Sequence, residues 1–83
     1  MKKKIAVIDI IYENSVSIES LNNIFHDFRD YVIGRMGLPY RVKNVSIMSV
    51  AIEADQETIS AITDTIKALE GVDMKIYYLG SPQ

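Results

Sequence analysis

Apolar residues are spaced along this chain in two ways, and each spacing predicts a different element. Three short segments, 4–12, 45–54 and 72–79, are rich in isoleucine, valine and other residues that favour extended backbone. In the last of them Met74, Ile76 and Tyr78 alternate with Lys75 and Tyr77. These segments are predicted strands, and the nearly continuous apolar run of the first suits a strand with neighbours on both sides.

Two other segments repeat their apolar residues every three or four positions, which is the period of an amphipathic helix. The first begins at Ile18 and is predicted to end between Asp30 and Gly34. The second begins after Asp55, a residue type that caps helix N-termini, and Gly71 is predicted to close it at the C′ position.

The segment 31–40 fits neither pattern well. It contains two glycines and Pro39, which has no N–H to donate to an interior ladder. We therefore predict an irregular edge strand, followed by a hairpin turn in which Asn44 is the residue most tolerant of positive φ.

The resulting element order is β, α, β, β, α, β, and 83 residues suffice for one domain, residues 1–83. Right-handed crossovers place both helices on one face of the sheet, so the fold class is α+β, ferredoxin-like. The sheet is four-stranded and antiparallel, with the first and third strands central.

The sheet face without helices should be polar if it meets water, but either face of these strands keeps several branched aliphatic residues. An apolar patch of that size predicts a homo-oligomer, a dimer or tetramer. The candidate interface residues are Ile5, Val7, Asp9, Ile11, Val45, Ile47, Tyr77 and Leu79. Asp9 can bind a ligand, set the register of the interface, or discourage wrong strand stacking.

Composition and charge narrow the function classes. The chain has no cysteine, which excludes disulfides and thiolate metal sites, and its formal net charge is −2. An acidic domain is not expected to bind nucleic acid directly without help. The apolar run that follows Lys2 to Lys4 is too short for a membrane span or a secretory signal, so we expect a cytoplasmic protein without membrane contact.

Nothing in the sequence predicts an enzyme. No GxSxG, Walker or GxGxxG motif occurs, and the single histidine makes an intrinsic metal site improbable. His26 stands four residues before Asp30, which suits a proton shuttle, a ligand clamp or simply a solvated helix flank. We therefore predict no catalytic residue, metal or cofactor.

The glycine- and arginine-containing stretch at 34–41 is the best candidate for ligand binding. Arginines can bind a carboxylate or phosphate through paired hydrogen bonds, and glycine permits a close backbone approach. A kinked edge strand with solvated arginines is the alternative. The candidate ligand-binding residues are Asn14, His26, Asp30, Arg35, Gly37, Tyr40 and Arg41.

The run His26 to Arg41 (HDFRDYVIGRMGLPYR) resembles the signature of a small bacterial family, the iron-only hydrogenase system regulators. The likeness continues through Ser46 to Ile52 and Leu69 to Val72. This resemblance implies a fold similar to ACT domains and to the C-terminal domain of the nickel-responsive repressor. Both act as oligomers with effector sites between subunits, so the chain is expected to be one ACT-like regulatory domain.

Two features of the repressor do not carry over. Too few residues precede Ile5 for its DNA-binding arm, and its metal-binding strand is replaced here by one with Gly37, Pro39 and Tyr40. The leading hypothesis is therefore a non-enzymatic sensor that binds a small anionic ligand or a protein partner. The alternatives are a DNA-directed transcriptional regulator that works through a separate DNA-binding partner, and a protein–protein adaptor.

Overall fold

The computed structural model describes residues 2–13, 18–40 and 44–79, with the backbone alone at 39 and 40. Strands and helices follow one another in the predicted order. The elements are β1 Lys4–Glu13, α1 Ile18–Asp27, β2 Val32–Tyr40, β3 Val45–Ala54, α2 Gln56–Lys67 and β4 Val72–Tyr78, with a 3₁₀ turn at Arg29–Tyr31 between α1 and β2.

The sheet is antiparallel throughout, and its strand order is β2-β3-β1-β4. The two long central strands pair over their full length, from Lys4 opposite Ala54 to Glu13 opposite Val45. This order confirms the ferredoxin-like α+β fold and the prediction that the first and third strands lie inside the sheet.

Both helices pack against the same face of this sheet. Every second residue of β1 from Ala6 to Ile10 is completely buried there, as are Val50 and Ile52 of β3. The helix residues that meet them are Leu21, Ile24, Phe25, Ile59, Ile62 and Ile66. Burying an aliphatic side chain of this size contributes about 1.5–3 kcal/mol, so this layer holds the fold together.

Helix α2 begins as predicted but ends earlier. Asp55 is its N-cap, and the Asp55 carboxylate accepts a hydrogen bond of 2.9 Å from the backbone N–H of Thr58. That hydrogen bond lowers the pKa of Asp55 below its ordinary value. The prediction that Gly71 is the C′ residue was wrong, because the helix ends at Lys67 with Ala68 as its C-cap. Gly71 instead has φ of 75° in the turn that leads into β4.

Helix α1 ends at Asp27, earlier than the apolar spacing indicates, because the chain tightens into the 3₁₀ turn and enters β2 at Val32. Phe28 and Val32 still pack against the core from these later elements. Strand β2 is the predicted irregular edge, with a bulge between Val32 and Gly34. Asn44 has the predicted positive φ, 56°, while residues 41–43 of the turn lie outside the described residues.

Candidate functional site

The sheet face that no helix covers is the first candidate site, and we call it the open face. Seven of the eight residues predicted from the sequence to form an interface lie on it, since they alternate along β1, β3 and β4 with the residues that pack against the core. The eighth, Leu79, directly follows β4, and its backbone N–H donates a 2.9 Å hydrogen bond to the carbonyl of Ile5. The exposed fractions are 49% for Ile11, 53% for Tyr77 and 72% for Leu79. Large apolar side chains therefore meet solvent over the breadth of the sheet.

Strand β2 adds two apolar residues that were not predicted. Met36 and Leu38 are 58% and 53% exposed, and their register partners on the open face are Ser49 and Ile47. The glycines and the proline of β2 hid its alternation, so the sequence did not show which of its residues share a face.

A polar row crosses the middle of the open face. Asp9 lies between Ser49 of β3 and Lys75 of β4 in the strand register, and the Ser49 hydroxyl donates a 2.7 Å hydrogen bond to the Asp9 carboxylate. A shallow hollow of about 380 Å³ lies beside this row, and a second carboxylate, that of Asp73, lines it together with Asp9. The other lining residues are Ile11, Met74, Lys75 and Tyr77. The open face is thus apolar with a charged centre.

The second candidate site is a crevice on the helix side, where α1 passes the start of β2. Its volume is about 350 Å³, near the lower limit for small-molecule sites. The lining residues are Asn22, Phe25, His26, Arg29, Val32 and Arg35. The lining thus combines two guanidinium groups and an imidazole with an apolar patch, and none of these six described residues is acidic.

Arg35 is held in place from two directions. Its Nη2 donates a 2.6 Å hydrogen bond to Oδ1 of Asn22, and its guanidinium carbon lies 5.9 Å from the centre of the Phe25 ring. A guanidinium group has five N–H donors, so these contacts orient Arg35 and leave donors for a ligand. An arginine that is already oriented loses less entropy when it binds.

Arg29 approaches the same crevice from the 3₁₀ turn. Its Nη1 donates a 2.8 Å hydrogen bond to the backbone carbonyl of His26, which lies in the last turn of α1. Two arginines at one crevice favour a carboxylate or phosphate, which a guanidinium fork binds with paired hydrogen bonds. The crevice is open to solvent and suits reversible binding.

The structure brings together part of the predicted ligand site. His26 and Arg35 both line the crevice, whereas Asp30 is exposed on the 3₁₀ turn and is not among the lining residues. Gly37 lies two residues beyond Arg35 on the same strand and also outside the lining. The Tyr40 backbone ends β2, but its side chain is not described.

Two further predicted residues, Asn14 and Arg41, lie outside the described residues. Two polar crevice residues were missed as ligand candidates, Asn22 and Arg29. Arg29 follows His26 by three positions, so helical spacing was a signal for it. Nothing in the sequence placed Asn22 beside Arg35, because their contact depends on how α1 lies across the edge of the sheet.

Other kinds of site find no support in the part of the chain that the structure describes. Across 2–13, 18–40 and 44–79, no three His, Asp or Glu side chains are grouped so that they can hold a metal ion. Neither of the described helices is long and apolar enough to cross a bilayer.

Comparison with known proteins identifies the family. A model of the TM1266-like family, described as "Iron-only hydrogenase system regulator, putative", matches residues 4–76. The solved structure of uncharacterized protein TM1266 from Thermotoga maritima is similar with a TM-score of 0.90 and 25% sequence identity, over 95% of this chain and 100% of that one. The resemblance found in the run from His26 to Arg41 is thereby confirmed.

More distant likenesses show the fold alone. A functionally unknown protein from Pediococcus pentosaceus has a TM-score of 0.62 at 12% identity, over 100% of this chain and 98% of that one. SnoaB, a cofactor-independent oxygenase from Streptomyces nogalater, has a TM-score of 0.59 at 10% identity, over 99% and 100%. No protein of curated function matches the sequence.

Proposed function

Because this chain belongs to the family of iron-only hydrogenase system regulators, we propose that it is a regulatory protein and not an enzyme. It works as a homo-oligomer joined through the open face, and it binds a small anion in the crevice between α1 and β2. The observation that carries this proposal is the open face itself, with Ile11, Tyr77 and Leu79 about half exposed or more.

The open face is too apolar for a surface that permanently meets water. Soluble proteins rarely leave contiguous apolar patches larger than a few hundred Å² exposed. Four strands about 4.8 Å apart, with an average length of about nine residues, span roughly 570 Å² before the side chains are counted. That approaches the roughly 600–800 Å² per partner that stable interfaces bury, so a second copy of the chain is an adequate cover.

The test of self-association is the solution mass, measured by light scattering after size exclusion over a hundredfold dilution. We expect a dimer or tetramer that dissociates when Ile11→Asp places a charge on the open face. Ile18→Asp is the matched control, because Ile18 is similarly exposed (41% against 49%) but lies on α1. A wild-type monomer at every concentration would contradict the proposal.

Anion binding is supported by the pair of arginines in the crevice. Arg35 is already held by Asn22 and Phe25, and Arg29 by the His26 carbonyl, so both guanidinium groups are in place before a ligand arrives. An anion bound there would connect α1 to the edge strand β2. Binding would therefore stabilise the position of that strand relative to the rest of the sheet, and this change is the regulatory output that we propose.

Anion binding is measured by titrating the ¹⁵N-labelled protein with inorganic phosphate and, separately, with acetate. We expect resonances of Asn22 and Arg35 to shift. Hydrogen bonds to charged groups contribute about 1.5–3 kcal/mol, so Arg35→Ala should weaken binding roughly tenfold or more. Lys75→Ala removes a cation from the open face and should leave the affinity unchanged. Equal losses in both variants would indicate a non-specific charge effect instead of a site.

A further inference from the structure

Gly34 is a glycine that the chain itself does not require. Its backbone φ is not in the left-handed region, and a Cβ added there would meet no atom within 4 Å. The strand register places Gly34 on the open face, opposite Ala51. Glycine within a strand often marks a bulge, such as the one between Val32 and Gly34, or a close approach by another group. No described residue approaches Gly34 in this way.

The register divides the open face into rows that run across the sheet in the order β2, β3, β1, β4. The middle row is Met36, Ser49, Asp9 and Lys75. On one side lies the row Leu38, Ile47, Ile11 and Asp73, and on the other Gly34, Ala51, Val7 and Tyr77. Any two-fold arrangement that keeps the strands of two stacked copies aligned matches these rows with themselves or with each other.

Two aligned two-fold arrangements cover the whole open face. In one, the axis is perpendicular to the strands, each strand lies on its own copy, and the middle row faces itself. This stacks Asp9 on the partner's Asp9 and Lys75 on the partner's Lys75. Opposed like charges at the centre of an interface are unfavourable, so this arrangement is disfavoured.

In the other arrangement the axis runs parallel to the strands, between β1 and β3 at the centre of the sheet. Every row then faces itself in reverse order. Asp9 faces the partner's Ser49, a neutral residue, so no like charges stand directly opposite each other in the middle row. Ile11 faces the partner's Ile47, so apolar residues meet beside the polar centre.

At the outer strands two of the three facing pairs match in this second arrangement, whereas Leu38 faces the partner's Asp73. Tyr77 of β4 faces the partner's Gly34, which places the largest side chain of that row over the position that has none. Lys75 faces the partner's Met36 near the sheet edge, where its aliphatic stem packs while its ammonium reaches water. Packed layers interdigitate when a large residue on one layer faces a small residue on the other.

We infer that two copies of the chain stack through their open faces about a two-fold axis that lies between β1 and β3, with the Tyr77 side chain of each copy seated over Gly34 of the other. This inference rests on the self-association proposed above and specifies its geometry. It also gives Gly34 a role in addition to its place beside the bulge of β2.

The test is a double-mutant cycle on the dimer dissociation constant, measured by sedimentation equilibrium. Gly34→Phe should raise the dissociation constant at least tenfold, because its ring occupies the space of the partner's Tyr77. Tyr77→Ala should weaken the dimer less. The combination of Gly34→Phe with Tyr77→Ala should recover most of the lost affinity, because the new ring then fills the space that the old ring vacated.

Gly37→Phe is the matched control. Gly37 is on the same strand and also tolerates a Cβ without contact, but its register partner is the buried Met48, so it faces the helix side. We expect the dimer dissociation constant of Gly37→Phe to equal that of the wild type. Thermal unfolding followed by circular dichroism confirms that each variant is folded.

Different outcomes test the position of the two-fold axis and the existence of the dimer. Losses that simply add in the double variant would overturn the Tyr77–Gly34 pairing, even if the wild type is a dimer. Rescue of Gly34→Phe by Leu38→Ala would favour the perpendicular axis, which places Gly34 opposite the partner's Leu38. A wild-type protein that is monomeric throughout would contradict both this inference and the proposed self-association.

Discussion

The two faces of this sheet are built from similar residues, yet they have opposite surroundings. In β1, Ala6, Ile8 and Ile10 are completely buried beneath the helices, while Ile11 on the other face is half exposed. Hydrophobicity along the strand does not distinguish the two faces. The helices decide, because their apolar stripes can cover only one side of the sheet.

The open face differs from the covered face in its centre. The buried side chains of β1 and β3 on the helix side are all apolar or aromatic, whereas the open face carries Asp9, Ser49 and Lys75 in its middle row. A charge in the middle of an apolar surface costs little in water and restricts which surfaces can cover it. The covered face therefore provides stability, and the open face would provide specificity in the self-association that we propose.

The largest expected difference between the faces is the cost of truncating one isoleucine. Ile8→Ala removes a fully buried side chain and should lower the free energy of unfolding by about 2–5 kcal/mol. Ile11→Ala removes a half-exposed side chain and should cost less than about 1 kcal/mol when the protein is dilute. Urea denaturation measures both values.

Repeating these measurements at several protein concentrations tests whether the open face is an interface. If the open face joins two copies, the cost of Ile11→Ala grows as the concentration rises, because dimerisation stabilises the folded state by mass action. The cost of Ile8→Ala should change much less. An Ile11→Ala effect that is independent of concentration would show that the open face is not an interface.

A smaller effect is expected from the polar row. Ser49→Ala removes the hydroxyl that donates 2.7 Å to the part-buried Asp9 carboxylate, and should cost about 1 kcal/mol of folding stability. Asp9→Asn keeps an acceptor for that hydroxyl and should cost less. Thermal or urea unfolding of the two variants checks the order, and the reverse order would mean that the charge of Asp9 has another stabilising partner.

The smallest expected effect on the free energy of unfolding comes from the Asp55 N-cap of α2, and it depends on pH. The hydrogen bond from the Thr58 N–H lowers the pKa of Asp55 below its ordinary value of 3.8. A lowered folded-state pKa means that the ionised cap stabilises α2 above pH 3.8, and that this stabilisation is lost as the pH falls through the lower folded-state pKa.

Asp55→Asn keeps the capping acceptor without the charge and so isolates this effect. The stability difference between wild type and Asp55→Asn should be largest near neutral pH and should shrink below pH 3.8. Urea denaturation at a series of pH values measures it. A difference that is the same at acidic and neutral pH would mean that the Asp55 charge does not contribute.

Much of the fold could be predicted from residue order because its signals are local. The β-rich runs, the Asp55 cap and the positive φ of Asn44 each depend on a few neighbouring residues, and the structure confirms them. The end of α2 was less predictable. Gly71 has the backbone conformation expected of a helix-terminating glycine, but it uses it in the following turn, four residues after the helix has ended at Lys67.

In the candidate sites too, some features could be predicted from the sequence and others depend on the tertiary structure. By itself the sequence determined that two apolar faces exist and that Arg35 and His26 are candidate ligand residues, because alternation and residue chemistry depend only on order along the chain. Only the tertiary structure decided that Asn22 contacts Arg35, that Met36 and Leu38 extend the open face, and that Gly34 shares a row with Tyr77. These relations join residues on separate elements, and their geometry is set by how the strands register and where the helices pack.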